Sequence, residues 1–69
     1  MPDLKALMLT LDAMRGACTA ILHGHRHRAA VCLADAAASA DKAFPPGSKE
    51  SFALAMVQCA ITEAAGRPS

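Results

Sequence analysis

At about 100° per residue the apolar positions of this chain fall on helical faces, and no stretch alternates with the period of two that marks a strand. Positions 4, 8, 11, 15, 18, 22, 26, 29, 33, 37, 40 and 44 form one stripe, reading Leu, Met, Leu, Arg, Cys, Leu, Arg, Ala, Leu, Ala, Ala, Phe. Asp3 stands where an N-cap belongs. The strongest punctuation is Phe44-Pro45-Pro46-Gly47-Ser48, where two prolines and a glycine end one element and Ser48 can cap the next. From Ser48 a helical pattern runs to about Ala65, with Glu50 in its first turn and Gly66 and Pro68 as a stop signal. The expected fold is all-α, in one domain covering 1–69.

Gly24 decides between two architectures. As a left-handed terminator it would end a helix at His23. Against a break, residues 23–34 hold no Ser, Thr, Asp or Asn to cap a new helix, and His25-Arg26-His27-Arg28 would place cations where the helix dipole prefers anions. The unbroken stripe and the small cost of an internal glycine, about 1 kcal/mol, favour a helical hairpin. In it a long or kinked helix over about 3–43 carries a second helix over about 48–65. Three helices with a break near Gly24 are the alternative.

The faces of these helices point to association. In the first segment Leu4, Leu7, Met8, Leu11, Met14, Cys18, Ile21 and Leu22 share a broad bulky face, while Ala6, Ala13, Ala17 and Ala20 form a second face of small residues. The last helix carries Phe52, Met56 and Cys59 on one side and Leu54, Val57 and Ile61 nearly opposite, with Ser51, Gln58 and Thr62 as its polar strip. A helix apolar on two sides is normally buried on two sides. A chain this short has too few elements to cover both, so the second surface is expected to meet another chain, most simply a two-fold copy. The candidate interface comprises Phe52, Leu54, Met56, Val57 and Ile61 with Ala13 and Ala17. Arg15 and Glu63, charges set within apolar stripes, are candidates for a pair that fixes register or partner choice.

Composition sharpens this expectation. Of 37 apolar residues 17 are Ala and 3 are Cys, and Trp and Tyr are absent. A domain of about 60 residues hides only about 60% of its unfolded surface, so a core this poor in bulk needs a staple, a metal or a partner. Seven basic against six acidic residues give a net charge of +1, which supplies no general pull toward nucleic acid or an anionic membrane. The first residues, Met1-Pro2-Asp3-Leu4-Lys5, do not read as a signal peptide, and the longest uncharged run, Ser51 to Thr62, is too short to span a membrane. A cytoplasmic location is the expectation.

Candidate chemistry is sparse. His23-Gly24-His25-Arg26-His27-Arg28 is the conspicuous cluster. On a continuous helix His23 and His27 would stand one turn apart on one face, as in helical zinc sites, but the remaining ligands of such a site are missing. A solvated basic segment, or contact with an acidic partner or a phosphate, are the other readings, and the charge of the segment should rise as pH falls through the histidine range. Three cysteines spaced by 14 and 27 residues match neither a disulfide framework nor a CxxC motif. Cys18 and Cys59 sit on bulky faces, whereas Cys32, at a polar edge one turn after Arg28, is the candidate reactive thiol. No base and orienting group accompany it, so an enzyme is not expected.

The sequence therefore reads as a small helical protein–protein interaction module, an adaptor, chaperone-like partner or inhibitor. It is expected to act as a homodimer or tetramer, with another protein as a further partner, no cofactor, no membrane and no nucleic acid. A small metal- or redox-responsive protein using the His23–His27 segment and a cysteine is the competing class.

Overall fold

A computed structural model describes residues 3–66, which form three helices: α1 Leu4–Leu22, α2 Arg26–Ala43 and α3 Lys49–Gly66. The Pro68 stop and the reading of Met1 and Pro2 lie outside the described residues. No strand occurs among them, and none of these helices is long and apolar enough to cross a membrane.

The start of α1 follows the sequence closely. The Asp3 carboxylate accepts from the backbone N–H of Lys5 and of Ala6, both at 3.1 Å, which satisfies two of the four donors a helix leaves free at its N-terminus. Ser48 does the same for α3: its hydroxyl oxygen accepts from Ser51 N–H at 3.2 Å while its own hydrogen goes to Pro45 O at 2.8 Å.

A continuous helix over 3–43 is not what forms; α1 stops at Gly24. Gly24 has φ +77°, its N–H donates to Ile21 O at 3.0 Å, and His25 N–H donates to Ala20 O at 2.7 Å. This pair of bonds, closing over a glycine in the left-handed region, is a Schellman motif. The objection to a break was physically sound, because α2 does begin without a side-chain cap bond and without an acid in its first turn. Tertiary packing outweighs it. Turning at Gly24 lets α2 fold back along the whole of α1, and the Asp3 N–H donates to Ala43 O at 3.1 Å, closing the far end of the hairpin.

The hairpin packs through small side chains. From α1 the buried residues are Ala6, Thr10, Met14, Ala17 and Ala20; from α2 they are Ala29, Ala36, Ala40 and Ala43. Ala17, Ala29 and Ala36 have no exposed surface at all. Alanine brings helix axes toward the short end of the usual separation of about 8–10 Å. Gly16 brings them closer still: a Cβ placed there would lie 3.3 Å from the Cys32 Sγ across the interface. Among the described residues Thr10 is the one buried polar residue, and its hydroxyl is satisfied by donating to Ala6 O at 2.8 Å.

Helix α3 adds length more than depth. It returns beside the hairpin so that Ala60, Ile61 and Ala64 border the same groove as Cys18 and Ile21 of α1, yet none of its residues is buried.

Candidate interaction surface

Of the bulky residues of α1 only Met14 is buried in the core, at 5% exposure, while Leu7 and Ile21 are half-buried. Burial is centred on Ala6, Thr10, Ala17 and Ala20, and the opposite side of the helix carries Leu4, Met8, Leu11 and Leu22, exposed by 64, 68, 51 and 82%. Single exposed leucines are ordinary; four large apolar side chains along one helix are not.

Helix α3 repeats the inversion. Its half-buried positions are Ser51, Leu54, Gln58, Ile61 and Ala65, which share one face at helical spacing. Phe52 and Met56, one turn apart on the opposite face, are 68 and 60% exposed, and Cys59 and Glu63 continue that face outward. Two members of the expected polar strip, Ser51 and Gln58, thus lie toward the chain, while the largest side chains of the helix lie away from it. With Leu54 and Ile61 inward and Phe52 and Met56 outward, α3 carries bulky apolar side chains on both sides, and its own chain covers one of them.

Between these outward faces runs the groove of Cys18, Ile21, Ala60, Ile61 and Ala64, with a volume of about 270 Å³. No polar side chain borders it. It joins the exposed side of α1 to that of α3, so the apolar surface extends over two helices.

Each residue anticipated from the sequence can now be placed. Phe52, Met56 and Val57 are exposed, Val57 by 48%, while Leu54 and Ile61 are half-buried on the inner side of α3. Ala17 is fully buried against α2 and Ala13 is half-buried. The small-residue face of α1 is therefore occupied within the chain, and Ala17 cannot meet a second one. Arg15 and Glu63 are both exposed. Cys32 also reverses its expected place. It is the half-buried thiol, wedged against Gly16, whereas Cys18 and Cys59 are exposed. The break at Gly24 separates His23, the C-cap of α1, from His27 in the first turn of α2, so they do not share one helical face. Among the described residues no group of three or more His, Cys, Asp or Glu is placed to hold a metal ion.

No protein-family model, curated protein or solved structure matches the chain.

Its function is therefore argued from its own surfaces. What sequence reasoning missed are Leu4, Met8, Leu11 and Leu22, which as a bulky stripe looked like core. The signal that separates the two faces is side-chain size: Ala6, Thr10, Ala17 and Ala20, small residues at helical spacing around Met14, mark where two backbones approach most closely.

Proposed function

We propose that this protein is a helical interaction module that works as a homodimer, joined through the outward apolar faces of α1 and α3. One observation carries the reading: α3 turns Ser51 and Gln58 toward its own chain and Phe52 and Met56 away from it. Exposed apolar surface of this extent is stable when covered, and a second copy offers a self-complementary cover.

The total area shows how little of this chain its own fold covers. A compact protein of 7.1 kDa exposes about 4,100 Å² by the usual scaling with mass, whereas this chain exposes 5041 Å². The excess, roughly 900 Å², reflects an elongated shape of 40 × 18 × 12 Å, which leaves a single chain with more surface than a compact fold of its mass. Phe and Met are also residue types enriched at interface centres. In this arrangement Arg15 and Glu63, both exposed, lie at the rim, where charges act on orientation and association rate more than on affinity. A dimer of this kind would present its remaining surfaces to another protein as an adaptor, chaperone-like partner or inhibitor. Nothing in the donor set favours the metal- or redox-responsive alternative.

The test is the double variant Phe52→Ser, Met56→Ser. Both side chains are more than half exposed in the single chain, so the variant keeps its helical circular dichroism. Each interface loses four large side chains, at about 1.5 kcal/mol or more apiece, which weakens association by about ten-thousandfold or more. Unchanged association of a folded variant contradicts the reading.

A further inference from the structure

The junction of α1 and α2 holds a cleft of about 400 Å³ that adjoins the outward face of α1 at Arg15 and is otherwise lined by residues outside the apolar faces just described. Its walls come from three segments: Asp12 and Arg15 from α1, His23 and His25 from the turn, and Arg28 and Cys32 from α2. Arg15 and His23 are two turns apart on one side of α1, and Arg28 and Cys32 are one turn apart on α2. Arg15 and Arg28 therefore stand on facing helices, and the imidazoles of His23 and His25 line the same cleft with Gly16, Thr19 and Ala20. Asp12 is the sole carboxylate among the lining residues.

This concentration of positive charge in a concavity has no compensating function in the fold. Two arginines lining one concavity repel, and the walls focus their field into the space they share. The first turn of α2 opens at the same place, carrying no acid and no side-chain cap bond; the last turn of α1 ends there too, so the two helix dipoles oppose one another and the positive charge of the cleft rests on its side chains. The volume falls in the range of small-molecule sites, about 300–1,000 Å³. A guanidinium presents a planar fork of donors that matches phosphate oxygens two at a time.

We propose that this cleft binds a phosphate group, carried by a small phosphate monoester or present as the free ion. Arg15 and Arg28 hold its oxygens from facing helices, His23 and His25 donate from the turn, and Asp12 accepts a hydrogen bond from a ligand hydroxyl. His27 and Arg26, their neighbours in sequence, are not part of the site.

The experiment is an amide NMR titration of the full chain with inorganic phosphate and, separately, with glycerol 3-phosphate. Sodium chloride and sodium acetate at matched ionic strength serve as comparators. The expected result is saturable shifts confined to amides around Asp12–His25 and Arg28–Cys32 with the phosphates alone. Tighter binding of glycerol 3-phosphate identifies a monoester as the ligand class, and equal binding identifies the free ion. Arg15→Gln and Arg28→Gln, both at exposed positions, should each weaken binding about tenfold, while Arg26→Gln leaves it unchanged. Shifts that fail to saturate, that acetate or chloride reproduces, or that survive both arginine substitutions overturn the proposal.

Discussion

Ala17→Leu puts the packing of the hairpin to a direct test. Ala17 has no exposed surface and faces α2 where Gly16 and Cys32 already bring the two backbones together. Three additional carbon atoms have no space to enter, so the helices must separate or the leucine must leave its preferred rotamer. Such overpacking typically costs about 1–3 kcal/mol. Leucine and alanine are both strong helix formers, so the cost reports packing rather than propensity. The same substitution at Ala34, an exposed position on α2, supplies the control and should stay within about 0.5 kcal/mol of the native chain. For a domain of this size 1 kcal/mol moves the Tm by about 4–8 °C. Ala17→Leu should therefore lower the Tm by roughly 8–16 °C at a cost near 2 kcal/mol, and Ala34→Leu by a few degrees at most. Thermal melts followed by circular dichroism at equal chain concentration compare the two. Equal melting temperatures, or a more stable Ala17→Leu protein, would refute the alanine interface.

Two further outcomes follow from the backbone. Gly24→Ala should destabilise the hairpin by about 1–2 kcal/mol, read as a lowered urea midpoint: its φ of +77° is strained for any side chain although open space surrounds the added methyl. Gly16→Ala should gain less than the ordinary helix-propensity benefit of about 1 kcal/mol, because its Cβ meets the Cys32 Sγ at 3.3 Å. In a Cys32→Ala background the full benefit should return, and a double-mutant cycle of denaturation midpoints measures that coupling; a coupling of zero contradicts the close approach.

Much of the fold was legible in local signals. Asp3 and Ser48 act as the caps their positions suggested, and Pro45-Pro46-Gly47 separates α2 from α3. The break at Gly24 was harder to read, since the same residues that permit it also argue against it. A glycine can terminate α1, but the segment after it offers no capping side chain, and only the long-range contact of α2 with α1 decides the matter. The apparent stripe crossing Gly24 misleads because on α1 it follows the outward residues Leu4, Met8, Leu11 and Leu22, whereas on α2 it passes through Ala29 and Ala40, which are packed against α1. Hydrophobic periodicity identifies apolar faces without saying which one a neighbour will take. Where both a large and a small face exist, close packing of backbones can select the small one, as it does at Ala17 and Ala36. The cleft at the α1–α2 junction was legible only in part. The run from His23 to Arg28 was visible, but Arg15 joins it through the turn of the chain, and no spacing in the sequence brings those residues together.

The central claim is that the exposed leucine, methionine and phenylalanine side chains of α1 and α3 are one half of a shared interface. The most direct measurement is the molar mass of the native protein by light scattering over a dilution series. The account predicts about 14 kDa, twice the chain mass of 7.1 kDa, giving way on dilution to the single chain. A mass of one chain at every concentration, with helical structure intact and Leu4, Met8, Leu11, Phe52 and Met56 left in water, contradicts it.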